Sequence, residues 1–175
     1  MGHGQNGDRF GGRVGERLRA RRQERGMTPA HIAAFVGVTT TWYHDLEDHQ
    51  GEIDTLTLSQ FLRLCVLVDE PPRLLLGDAT ASGSQSHERD PTDLLLITDE
   101  YGHWRVAAGL RERCGNLAEH EDEIGWEAEA LARWLSDDGA LGEMPMPALF
   151  DLCQFGGLDA MGVLTACWVA LGRTP

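Results

Sequence analysis

The sequence predicts an all-α protein of two small helical domains. Three observations carry this. Apolar residues recur at helical spacing in both halves, between Thr, Ser or Pro at the starts and Gly at the stops. A small, polar stretch, DATASGSQSHERDP at residues 78–91, is closed by Pro91 and reads as a linker. The chain also matches itself without gaps when shifted by 88 residues. Residues 1–11 are Gly-rich and polar and read as a disordered start, which leaves blocks 12–77 and 92–175.

The first block reads as five helices. Val14, Leu18 and Ala20 fit a helix from about Gly12 to Arg25, with Gly26 as its stop. Thr28 is a good N-cap and Pro29 suits a first helical position, so a short helix runs from Pro29 to Val36 and ends at Gly37. After a tight turn Thr39 caps a third helix, Thr40 to Asp48. Thr57 or Ser59 opens a longer apolar helix through Phe61, Leu62, Leu64, Cys65 and Leu67. A last short helix after Pro71-Pro72 carries Leu74, Leu75 and Leu76. Two short helices joined by a Gly-Val turn make a helix-turn-helix, whose second helix is exposed along one side and can enter a major groove.

Residues 14–76 resemble the Cro/repressor-like (XRE) helix-turn-helix family, with its lambda-repressor-like five-helix domain. The stretches that carry the resemblance are VGERLRARRQERGMTPAHIAAFVGV, TTTWYHDLE, LTLSQFLRLCVLV and the terminal LLL. The resemblance implies roles. Ala33 and Gly37 let the two short helices cross closely, and Val38, Tyr43 and Leu46 face the core. Arg22 and Glu47 form a structural ion pair. Thr40, Thr41, His44 and Asp45 take the groove-facing positions. Thr28 and Thr39, with their helix N-termini, hold phosphates. Arg13, Arg17 and Arg21 add backbone charge neutralisation. The sequence departs from the family in one respect. Asp45, Glu47 and Asp48 make the recognition helix acidic, the turn HQGEID after it is acidic too, and no Arg, Gln or Asn offers a bidentate base contact.

The 88-residue shift places Arg17, Ala20, Glu24, Arg25 and Ala30 on Arg105, Ala108, Glu112, Arg113 and Ala118. It places Gly37 on Gly125, Gly51 on Gly139, Leu64-Cys65 on Leu152-Cys153 and Leu76 on Leu164. The second block therefore reads as a degenerate copy of the first; the identities are few, and chance is the alternative. In LLLITDEYGHWRVA the Tyr101-Gly102 centre also fits a hairpin, though helix is preferred. The counterpart of the recognition helix, GWEAEALARWLSDDG, is acidic outside and aromatic inside. Trp104, Trp126, Trp134 and Trp168 read as core or interface residues and not as base-stacking ones. Met161 to Leu171 suits either a dimer-forming helix or packing within its own domain.

Charge divides along the same line. The 175 residues include 15 basic and 28 acidic side chains, for a net charge of -13, and every basic residue is arginine. Without lysine there is no Walker-type phosphate loop, Schiff-base lysine or kinase-type lysine. Residues 12–77 hold eight arginines and nine acids, or -1; residues 92–175 hold five arginines and fifteen acids, or -10. The second block should therefore stay off DNA.

Other chemistry is sparse. His44, Asp45, Glu47, Asp48 and His49 crowd one helix end, but they read as a solvated terminus with no convergent metal set. Cys65, Cys114, Cys153 and Cys167 lie far apart and read as buried reduced thiols, ahead of structural zinc. Cys114 near His120 reads as structural. No nucleophile motif, zincin motif or export signal is present, and no apolar run approaches the roughly 20 residues that span a bilayer. The expectation is a cytoplasmic DNA-binding regulator, a repressor acting as a homodimer, without catalysis or cofactor. The acidic block would dimerise or bind a protein partner. The alternative is a protein-interaction module, such as an antitoxin or adaptor, built on a fold that no longer binds DNA.

Overall fold

The computed structural model describes residues 14–48, 50–77, 102–136 and 140–170. The expected disordered start, the linker at 78–91 and Arg13 lie outside the described residues. The chain divides into two compact units, Met1–Ser84 and Gln85–Pro175. Both are helical, and the described residues contain no β-strand.

The first unit contains α1 (Val14–Glu24), α2 (Pro29–Val36), α3 (Thr40–Asp48), a 3-10 segment (Gln50–Thr55), α4 (Leu58–Val68) and α5 (Pro72–Leu76). Local chemistry sets most of these boundaries. Thr28 caps α2, its hydroxyl oxygen accepting from the His31 amide at 3.2 Å, and Pro29 occupies the first turn. Gly37 ends α2 in the left-handed region, at φ 85°. Thr57 and Gln60 form a reciprocal capping box on α4, so Thr57 and not Ser59 opens it. The core is built from Leu18, Ile32, Val36, Tyr43, Leu46, Ile53, Leu58, Phe61 and Leu75, all fully buried. Ala20, counted with the apolar face of α1, is exposed. Val38 is only half-buried.

Gly37 works differently from expectation. A Cβ on Gly37 would meet nothing within 4 Å, so its positive φ and not close crossing requires the glycine. The close approach occurs instead at Gly15. There a Cβ would lie 2.6 Å from the Glu47 carbonyl oxygen and 2.8 Å from that of Leu46. Gly15 thus lets α1 press against the backbone of α3.

The second unit contains α6 (Gly102–Cys114), a 3-10 turn (Leu117–Glu119), α7 (Glu121–Ile124), α8 (Ala128–Trp134), a 3-10 segment (Ala140–Glu143), α9 (Met146–Phe155) and α10 (Ala160–Ala170). From Gly102 onward the chain is helix, as preferred, while Tyr101 and the residues before it lie outside the described residues. The order repeats that of the first unit at the 88-residue shift. The starts of α6, α8, α9 and α10 fall 88 residues after those of α1, α3, α4 and α5. The 3-10 turn and α7 together span 117–124, the shifted range of α2. Gly125 takes the left-handed place of Gly37, at φ 79°, and Gly157 that of Asp69, at 63° against 52°. The core follows too: Tyr43 becomes Leu131, Leu46 becomes Trp134, Ile53 becomes Leu141, Phe61 becomes Leu149 and Leu75 becomes Val163, each buried. Met161, Val163, Leu164, Cys167 and Trp168 of α10 are buried, and α10 packs on α6 and α9 of its own unit.

All four cysteines are free and buried. Burial pushes their thiols up, Cys114 to about 11 and Cys167 to about 12, so the thiolate needed for nucleophilic chemistry is scarce near neutral pH.

Candidate nucleic-acid interface

In the first unit α3 buries Tyr43, Leu46 and Glu47 and turns Thr40, Thr41, His44 and Asp45 to solvent. The spacing explains the split. Positions 40, 41, 44 and 45 share one helical face, and 43, 46 and 47 share the opposite one. Thr28 and Thr39 stand at the starts of α2 and α3, both exposed. The Thr39 hydroxyl oxygen accepts from the Trp42 amide at 3.1 Å, as Thr28 does from His31. A capping hydroxyl uses a lone pair in this bond and keeps its O–H to donate to a phosphate oxygen. The structure thus brings six of the candidate residues onto α3 and the two helix starts beside it.

The arginines behave otherwise. Arg17 Nη1 donates to the Leu74 and Leu75 carbonyls of α5, at 2.5 and 3.4 Å. Arg21 bonds Glu70 through Nε and Glu24 through Nη1, the latter at 2.9 Å. Both guanidiniums, expected at phosphates, are engaged within the unit. Arg17 satisfies the last carbonyls of α5, and Arg21 partners Glu70, which is buried.

The Arg22–Glu47 pair is present. Arg22 Nε lies 2.6 Å from one Glu47 oxygen and its Nη2 2.9 Å from the other, while Nη1 donates to the Met27 carbonyl. The Glu47 side chain is 2% exposed. Burial pushes its carboxyl up, but the hydrogen bonds and charge of Arg22 outweigh that and hold it below its ordinary value. Arg22 sits four residues beyond Leu18 on the inward row of α1, so it has to be matched by an acid.

Arg19 supplies a contact that sequence reasoning missed. It bonds Asp48 directly and reaches Glu47 Oε2 at 3.4 Å. Its guanidinium is held in the charged state chiefly by Asp48, then by Glu47. The signal was available: Arg19 and Arg22 are three apart on α1, facing consecutive acids of α3. Two of the three α3 acids are therefore neutralised from within. Among the described residues Asp45 has no ion-pair partner.

The equivalent surface of the second unit is built from other residues. The 88-residue shift replaces Thr39, Thr40, Thr41, His44 and Asp45 by Glu127, Ala128, Glu129, Ala132 and Arg133. Glu127 makes no side-chain cap, and Asn116, at the place of Thr28, bonds Glu119 at 2.6 Å without capping a helix. Glu119, Glu121, Asp122, Glu123 and Glu129 are all exposed. The aromatic side is inward: Trp134 is buried against Trp126, and Trp126 Nε1 donates to Asp151 at 3.0 Å. Among the described residues no helix is long and apolar enough to cross a membrane. No curated protein and no solved structure shows significant similarity to the chain. Residues 13–76 match the family model of the helix-turn-helix domain, so the first unit carries a helix-turn-helix domain.

Proposed function

We propose that the protein is a transcriptional regulator of the Cro/repressor-like (XRE) type, which represses by occupying an operator. The observation that carries this is the α3 face: Thr40, Thr41 and His44 are exposed together, beside the capping hydroxyls of Thr28 and Thr39. Thr40, Thr41 and His44 contact base edges, with Asp45 placed to accept from a cytosine amine. Thr28, Thr39 and the two helix starts hold phosphates, and Arg13 adds charge. Arg17 and Arg21 serve the fold first, because both already have partners. A homodimer sets two α3 helices about 34 Å apart on a palindromic site. The second unit supplies dimerisation or a protein contact, and its carboxylates keep it off DNA. The protein works by binding and not by catalysis. Four free thiols suit a cytoplasmic setting.

The competing reading is a protein-interaction module, such as an antitoxin or adaptor, and the exposed acids of the second unit favour it. A mobility-shift series over a pool of random duplexes, run from low to physiological salt, separates the two. A regulator selects a sequence and weakens steeply with salt. Thr40→Ala with His44→Ala should then cost about tenfold or more on the selected site. Absence of any shift at low salt favours the protein-interaction reading.

A further inference from the structure

We infer that Arg19 is a positioning residue for DNA binding: from α1 it neutralises Asp48 at the end of α3 and so lowers phosphate repulsion without touching the duplex itself. The inference rests on the DNA-binding reading above and names how the acidic recognition helix is made compatible with it.

The geometry is specific. Arg19 is the one α1 arginine that bonds two consecutive α3 acids, Asp48 through Nη2 and Glu47 through Nε. Glu47 needs no help, since Arg22 grips both its oxygens in the interior. Asp48 is different. It is exposed, 54% by side chain, and its ion-pair partner among the described residues is Arg19. An exposed carboxylate at the end of a groove-facing helix opposes phosphate over a Debye length of about 8–10 Å. Pairing it with a guanidinium turns that monopole into a short dipole, whose field falls off faster. The pair joins partly exposed groups, so its thermodynamic weight in folding is small. Its consequence lies in the field at the interface. The second unit supports the assignment by contrast. The 88-residue shift puts Ala107 at the place of Arg19 and Ser136 at that of Asp48, so the acid and its neutraliser are lost together.

The test is a salt-series titration of the selected duplex with full-length protein, comparing wild type, Arg19→Gln, Asp48→Asn and the double variant. Arg19→Gln is expected to weaken binding about fivefold at low salt. Asp48→Asn, which releases the guanidinium from its partner, is expected to tighten it. The double variant is expected to return within about twofold of wild type, with an unchanged salt slope. Circular dichroism and melting temperature should be nearly the same for all four.

Two results overturn the inference while leaving the DNA reading intact. One is a double variant as weak as Arg19→Gln with a salt slope lower by about one, which makes Arg19 a direct phosphate contact. The other is Arg19→Gln binding like wild type. If wild type binds no duplex, the DNA reading fails and the inference falls with it.

Discussion

Arg22 and Glu47 form a buried ion pair in the first unit, and the second unit supplies a comparison for it. The shifted positions are Leu110 and Leu135, both fully buried. One copy of the fold thus joins its first and third helices by an ion pair, and the other buries a leucine at each of the two equivalent positions. Burying an ion pair costs desolvation that its attraction roughly repays, so an apolar pair of similar volume is an equivalent solution. Removing one partner is not equivalent, because it strands the other charge in the core. Arg22→Ala should therefore lower stability by about 3–5 kcal/mol in chemical unfolding. Arg22→Leu with Glu47→Leu should recover most of that and fall short only by the donor lost at the Met27 carbonyl. A double variant as unstable as Arg22→Ala would mean the interaction is not interchangeable with apolar packing. The pair itself was legible in the sequence through the family resemblance. Arg21–Glu70 and Arg25–Asp69 were not, because partners 49 and 44 residues apart become neighbours only when α1 and the turn after it are packed on the rest.

At the scale of the element, caps made the first unit legible. Thr28-Pro29, Gly37, Thr39 and Thr57 mark boundaries chemically, and α2 and α3 run over the ranges their caps indicate. What sequence patterning could not show is which face of a short helix meets a backbone. Gly15 follows Val14 at the start of α1 and carries no turn signal, yet it is the point where α1 meets the carbonyls of Leu46 and Glu47. The two glycines predict different failures. Gly15→Ala pushes a methyl into backbone that cannot give way cheaply, and overpacking of this kind costs about 1–3 kcal/mol. It should also shift α3, so DNA affinity falls with stability. Gly37→Ala meets open space and suffers only the left-handed backbone penalty, about 1–2 kcal/mol. Its loss should appear in thermal melts without displacing the Arg22–Glu47 pair. Equal effects of both on binding would contradict the close-approach role of Gly15.

Over the whole molecule, two copies of one helical plan differ in charge, about -1 against -10, and in the residues at the ion-pair positions. The repeat was visible in the sequence as scattered identities, chiefly turn glycines and core residues such as Leu152-Cys153. Its completeness was not, because tyrosine-to-leucine and ion-pair-to-leucine exchanges keep the positions buried while erasing the identity. The difference at the ion-pair positions predicts different acid sensitivity. Glu47 is held below its ordinary value of 4.5 in the folded unit. A group with a lowered folded value contributes its stability above the unfolded value and loses it as pH falls through the folded one. The first unit should therefore keep this contribution above about pH 5 and lose it as the pH drops below 4.5. In the second unit Leu135, at that place, makes no such contribution. Peptide-resolved hydrogen exchange on the full chain, corrected for intrinsic rates, should show residues 14–76 opening at a higher pH than 102–170. The reverse order would mean that other carboxylates govern acid unfolding.

On the proposed function, DNA contact belongs to the α3 face of the first unit and has no counterpart in the second. It is tested most directly by exchanging one residue across the repeat in each direction. Thr41 and Glu129 occupy equivalent exposed positions at the starts of α3 and α8. Fluorescence anisotropy of the selected duplex at fixed salt should show Thr41→Glu losing at least about tenfold in affinity, since a carboxylate would face the bases and phosphates. Glu129→Thr should bind as wild type does. Unchanged affinity in Thr41→Glu, or a change in Glu129→Thr as large as that expected at Thr41, would mean that DNA contact does not lie on the α3 face.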